Sequence, residues 1–187
     1  MLMVKVRLEN MPKKLPILET GLRWLWIAVI FFIIDQVTKN MAVAYFVEQG
    51  GRYEVMPFFN FTLAYNPGAA FSFLADQGGW QVIFFATVSS VVGLGLLYWL
   101  YTLPAKNWWL SISLTLIFSG AMGNLYDRII LGYVVDFIDL YYESKHFPAF
   151  NVADSVIFLG AAMMLYDSFF NPQEGDEKSS EKQTASK

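Results

Sequence analysis

The chain has 187 residues, of which 56% are hydrophobic, 18% aromatic and only 16% charged, with a net charge of −3. A soluble domain carries about 25% charged residues, so the composition indicates one membrane-embedded domain, and neither the charge balance nor any basic stripe points to a nucleic-acid partner. The lack of cysteine excludes disulfides, thiolate metal sites and a cysteine nucleophile, and the single histidine, His146, excludes multi-histidine zinc sites.

Residues 1–22 form a basic arm with Lys5, Arg7, Lys13 and Lys14. The first apolar stretch runs only from Trp24 to Ile34, shorter than the roughly 20 residues that a bilayer requires. The helix is therefore predicted to continue through "DQVTKNMAVAYF", giving a span of about 23–44 that carries Asp35 and Lys39 into the outer part of the membrane. These two are four apart, on one helix face and able to pair. The basic start and "AVA" at 42–44 also outline a signal peptide, but Asp35, Gln36 and Lys39 make a poor approach to such a cut.

In the following segment, about 45–80, the stretch from Tyr53 to Tyr65 is rich in aromatic and β-branched residues and predicts one or two short strands. "NPG" at 66–68 predicts a turn. Further spans are predicted at about 81–103 and 108–126, joined by a tight turn with Lys106, and at 153–170, after an outward connection at 127–152. The polar tail, 171–187, has the composition of a disordered segment. Nine basic residues fall in the arm and its Arg23, the Lys106 turn and the tail, against Lys39, Arg52, Arg128 and Lys145 on the other side. Cytoplasmic loops carry the excess of Lys and Arg, so both termini are expected to be cytoplasmic.

Under that orientation Asp35, Lys39, Asn66, Asn124, Asp127, Arg128, Asp136, Asp139, Asn151 and Asp154 all lie at outer span ends or in outward segments. Ionisable groups at membrane depth are costly and often mark function. "SGAMGNLYDR" places Ser119 with Gly123, and Gly120 with Asn124, at the spacing of close helix packing. Arg128 suits a carboxylate or phosphate, and Asp127 is positioned to hold it. In "GYVVDFIDLYY", Asp136 and Asp139 face opposite ways in a strand and share a face in a helix. Val134, Val135 and Phe137 around Asp136 favour a raised pKa. Asn151 is a good N-cap, and Asp154 stands at the capping-box position.

Two carboxylates in one site divide into a proton holder and a proton acceptor, which activates water without metal or covalent intermediate. Serine–lysine chemistry is weaker, since no spacing singles out a pair among Lys39, Lys145, Ser72, Ser144 and Ser155. Two other readings stay open on the residues alone. One is a proton-coupled transporter, although the span centres are apolar and no repeat appears. The other is a binding protein in which Asp136 and Asp154 only cap helices.

"DQVTK", "NPGAAFS", "GAMGNLYDR", "GYVVDF" and "FNVAD", in this order, resemble the type II (lipoprotein) signal peptidase family of bacterial inner membranes. The resemblance implies an all-α membrane protein of four transmembrane helices, with a small periplasmic β-cradle and a short periplasmic helix over the site. It implies a membrane aspartic endopeptidase that frees diacylglyceryl-modified prolipoproteins of their signal peptides, cutting just before the lipid-modified cysteine. Asp136 and Asp154 are the implied catalytic acids, with Asp154 taken as the ionised member and Asp136 as the protonated one. Asp35, Lys39, Asn66, Gly120, Asn124, Arg128 and Asn151 match supporting or substrate-binding positions, and Asp127 is grouped with them. No metal or other cofactor is expected; the partners are the lipidated substrate and membrane lipids, and a monomer is expected.

Overall fold

A computed structural model of the protein describes residues 16–68 and 79–170. Most of the N-terminal arm, residues 1–15, and the tail at 171–187 lie outside the described residues. The short helix expected over the site would fall on 69–78, also outside them.

Two 3-10 turns, Ile17–Glu19 and Gly21–Trp24, lead into helix α1, Leu25–Gln49. Gly50 and Gly51, both at positive φ (63° and 72°), end it, a conformation that side chains disfavour. Strands β1 (Tyr53–Met56) and β2 (Phe59–Asn66) follow, then helices α2 (Trp80–Thr102) and α3 (Trp108–Ile130). Gly132, at φ 83°, turns the chain into strand β3 (Val134–Tyr142). A tight turn leads to β4 (Lys145–His146), and helix α4 (Val152–Phe170) completes the described chain.

The four strands form one antiparallel sheet in sequential order. The fold is thus mostly helical with a small sheet. Asp136 and Asp139 lie in a strand, which separates them onto opposite faces.

Among the described residues, three helical stretches are long and apolar enough to cross a membrane: 21–49, 80–102 and 152–170. Their outer surfaces expose Ile33, Val37, Ile83, Leu94 and Phe158, as lipid-facing helices do. Helix α3 has 23 residues but is less apolar, because it is the central helix, in contact with α1, α2 and α4. Its buried residues include Ser111, Ser113, Thr115, Ser119, Gly120 and Gly123. Small residues let backbones approach. A Cβ on Gly120 would run into the Ala153 carbonyl of α4, and one on Gly123 would lie 2.7 Å from the Asp35 carboxylate of α1. The Ser119 hydroxyl donates to the Ala28 carbonyl of α1 at 2.8 Å.

Two apolar clusters hold the ends of the bundle. Leu96, Leu100 and Leu114 close one end, where the Thr20–Pro104 bridge ties the 3-10 turns to the α2–α3 connection. Ala42, Phe46 and Phe137 join the sheet to the other end. There the end of α1, the end of α3 and the start of α4 converge under β3.

Candidate active site

The floor of the site is a group of buried charges. Lys39 on α1 pairs with Asp35 at 2.8 Å and with Asp127 on α3 at 2.8 Å. Its third hydrogen bond goes to Asn124 Oδ1 at 3.1 Å. Gln36 donates to Asp35 Oδ2 (3.2 Å) and Asp127 Oδ1 (2.9 Å). Backbone donors complete the set, Asp127 Oδ2 serving both Lys39 and a backbone N–H. Asp35 Oδ1 accepts from the Ala153 N–H at 2.8 Å, and Asp127 Oδ2 from the Val135 N–H at 3.2 Å. Removing charges from water costs several kcal/mol per ion unless each is paired and hydrogen-bonded; here each is. The Asp35–Lys39 pairing expected from spacing is present. Asp127, expected to hold Arg128, instead serves Lys39 and the entry to β3, because Lys39 reaches it across the helix interface.

An ammonium can only donate, so Asn124 presents its oxygen to Lys39, and its NH2 group turns to Asp154 Oδ1 at 2.8 Å. Asn151 also donates to Asn124 Oδ1 (3.2 Å). The cap at the start of α4 is reciprocal: the Asp154 N–H donates to Asn151 Oδ1 at 2.9 Å, and the Asn151 N–H donates to Asp154 Oδ2 at 3.3 Å. The same Asn151 side chain donates to Asp136 Oδ1 at 2.7 Å. Asn66 at the end of β2 donates to Asp136 Oδ2 at 3.1 Å, and its own oxygen accepts from the Gly68 N–H at 3.0 Å, the turn expected at "NPG". Asp154 therefore caps its helix and also shares Asn151 with Asp136; the two roles are not exclusive.

Asp136 is 3% exposed. Burial pushes its carboxyl from 3.8 up to about 7, and the neighbouring Asp154 charge adds to the rise; the Asn66 and Asn151 hydrogen bonds act against it.

Both acids line one cleft of about 720 Å³, with Asn66, Asn124 and Arg128 at its polar side. The rest of its lining is mostly apolar and includes Leu140, the 147–150 segment, Ile157 and Phe158. Arg128 donates to the Gly68 carbonyl at 2.8 Å and lies over the Phe85 ring at 5.4 Å, so it ties the 66–68 turn to α3. Gly120 lies behind the site, where it admits the start of α4.

Asp139 is not in this cleft. It is buried on the other face of β3 with Asn60, His146 and Arg52. Ser155 donates to the Asn151 carbonyl and Lys39 is held by its carboxylates, so these two form no serine–lysine pair. Gln36 was not singled out by sequence reasoning. Its only sequence signal is its place beside Asp35, and its other partners, the Gly123 carbonyl and Asp127, are contributed by α3.

A family model described as signal peptidase (SPase) II matches residues 27–170. The chain is similar to a lipoprotein signal peptidase of Aeromonas hydrophila, 48% identical over 158 residues that cover 84% of this chain and 95% of that protein. One from Alteromonas mediterranea is 47% identical over 169 residues, covering 90% and 91%. A bacterial membrane enzyme solved by the in meso method at 2.3 Å resolution is similar in structure, with a TM-score of 0.65 and 34% identity over 80% of this chain and 90% of that one. A second, solved at 1.9 Å, gives 0.64 and 33% over 79% and 92%.

Proposed function

Because the chain belongs to the signal peptidase II family, we propose that Asp136 and Asp154 are the catalytic pair of a membrane aspartic endopeptidase. The protein is an aspartic-type signal peptidase II that removes signal peptides from prolipoproteins. The substrate in this reading carries a diacylglyceryl group, and the cut falls just before the lipid-modified cysteine. The peptidase unit comprises residues 23–170 with four membrane spans, α3 being the fourth, shielded from lipid by its neighbours. The enzyme works as a monomer in the bacterial inner membrane, both termini cytoplasmic and the cleft at the periplasmic face. The arm and tail take no part in the chemistry.

The observation that carries the reading is Asn151, whose side chain binds Asp136 and whose backbone and cap bind Asp154. In this reading Asp136, which burial pushes up to about 7, is the member that holds the shared proton. Asp154 takes a proton from water as the oxygen attacks the scissile carbonyl carbon, and Asp136 gives its proton to the carbonyl oxygen. The tetrahedral diol then collapses: the C–N bond breaks, the leaving nitrogen takes the proton held by Asp154, and Asp136 regains one from the diol. Asn66, Asn124 and Asn151 keep the two carboxyls in register throughout. The apolar wall suits a substrate whose neighbouring groups are hydrocarbon.

Cleavage of a lipidated prolipoprotein by the purified protein in liposomes tests this. Asp136→Asn and Asp154→Asn are each expected to lower the rate by at least ~10²-fold while the protein remains folded, and a chelator is expected to leave wild-type cleavage intact. Near-normal cleavage by either variant removes the pair from the mechanism.

A further inference from the structure

Part of the cleft's apolar lining comes from the segment that follows the β3–β4 hairpin. β3 and β4 are joined through Glu143, at φ 54°, a conformation that a glutamate adopts at a cost. β4 is only two residues long, and the segment after it lines the cleft with Phe147, Pro148, Ala149 and Phe150. That segment meets β3 at its two ends: the Phe147 N–H donates to the Leu140 carbonyl (2.7 Å), the Phe150 N–H to the Ile138 carbonyl (3.0 Å), and the Phe150 carbonyl accepts from the N–H groups of Phe137 (3.0 Å) and Ile138 (2.8 Å).

Residues 136 and 140 of β3 face the cleft; 139 and 141 face away from it. On that rear face the His146 ring stacks on Tyr141 at 5.2 Å. His146 Nδ1 lies 2.9 Å from Asp139 Oδ1, and its Nε2 lies 3.2 Å from Arg52 Nη1. A guanidinium only donates, so Nε2 is the acceptor and the proton is on Nδ1, donated to Asp139. Asn60 adds a hydrogen bond to Asp139 Oδ2 at 3.2 Å. The Asp139 side chain is 5% exposed, that of His146 33% and that of Arg52 53%. A buried carboxylate thus anchors a histidine at the hairpin tip, and an arginine from the α1–β1 corner locks it.

We propose that Arg52, His146 and Asp139 are positioning residues that hold the 147–150 wall from behind and thereby set the grip of the cleft on its substrate, leaving the chemistry at Asp136 and Asp154 unchanged. The inference rests on the function proposed above.

The test uses the full-length protein in detergent micelles with two ligands: a cleavable lipidated peptide, and its reduced-amide analogue, which cannot be cut. His146→Ala and Arg52→Ala alter exposed side chains, so folding is expected to survive. Both are expected to weaken analogue binding and raise KM by about three- to tenfold, the scale of one ordinary hydrogen bond lost, with kcat within about twofold of wild type. His146→Asn, whose amide N–H takes the place of Nδ1–H, is expected to recover most of the loss. Amide exchange at Phe147 and Phe150 is expected to quicken in His146→Ala. Unchanged analogue affinity, or a fall in kcat with KM unmoved, overturns the proposal. A wild-type protein that binds the analogue but leaves the cleavable peptide whole defeats the proposed function instead, while affinity and exchange still decide the role of the clamp.

Discussion

Lys39 is the side chain on which most of the site depends. It neutralises Asp35 and Asp127 and, through Asn124, decides which atom faces Asp154. Lys39→Met leaves two buried carboxylates without their cation, a loss of about 3–5 kcal/mol for a broken buried pair. Thermal unfolding in detergent is expected to show it as a large drop in Tm, with cleavage abolished. Asp136 acts on stability in the opposite sense. Its carboxyl rises from 3.8 unfolded to about 7 folded, so between these values the folded protein holds a proton that the unfolded chain has released. The contribution is complete below the unfolded value and is lost as pH rises through 7. Asp136→Asn is therefore expected to raise Tm above pH 7, with the gain shrinking toward pH 4, while wild-type kcat/KM falls on an alkaline limb near 7 that belongs to the pair. The local relations were legible in the sequence: Asp35 with Lys39 by helix spacing, Asn151 with Asp154 by capping. The bonds from Lys39 and Gln36 to Asp127 were not, because they join helices whose relative placement no local pattern encodes.

At the level of elements, the site is set by how near α4 comes to α3. Gly120 faces the Ala153 carbonyl, one residue before Asp154, with no room for a methyl group. Gly120→Ala is expected to push the start of α4 away and cost ~10²-fold in kcat, since a displacement of about 1 Å at reacting groups has that effect. Gly95, on α2, has nothing within 4 Å of a Cβ. Gly95→Ala is expected to leave activity unchanged and shift stability by less than about 1 kcal/mol, and steady-state kinetics on the two variants together separates packing at the site from a general helix effect. The spacing of 119, 120, 123 and 124 disclosed the close packing but not which neighbour each residue meets. The Asp136 segment was ambiguous for a related reason: its buried run of apolar residues suits a strand covered on both faces as well as a helix, and only pairing with β2 decides it.

For the whole molecule, the separation of the two ends is the main result. The 3-10 turns and the α2–α3 connection are bridged at one end; the sheet and the acids are at the other. The chain has no cysteine, so single introduced thiols report sidedness cleanly. Glu143→Cys is expected to react with an impermeant maleimide added outside spheroplasts, and Lys106→Cys only after permeabilisation. The reverse pattern inverts the proposed topology. The three helices apolar enough to cross a membrane were readable from hydropathy, whereas the Arg52–His146–Asp139 cluster was not, since it brings together positions 52 and 139 through sheet pairing.

The bond from the Ala153 N–H to Asp35 Oδ1 joins the earliest helix to the latest. A ribosome delivers Asp35 long before residue 154 emerges. A nascent chain with three helices inserted therefore contains the charged floor but lacks Asp154, half of the proposed catalytic pair. In the proposed reading, the Asp154 carboxylate joins Asp136 only when α4 docks against α1 and α3.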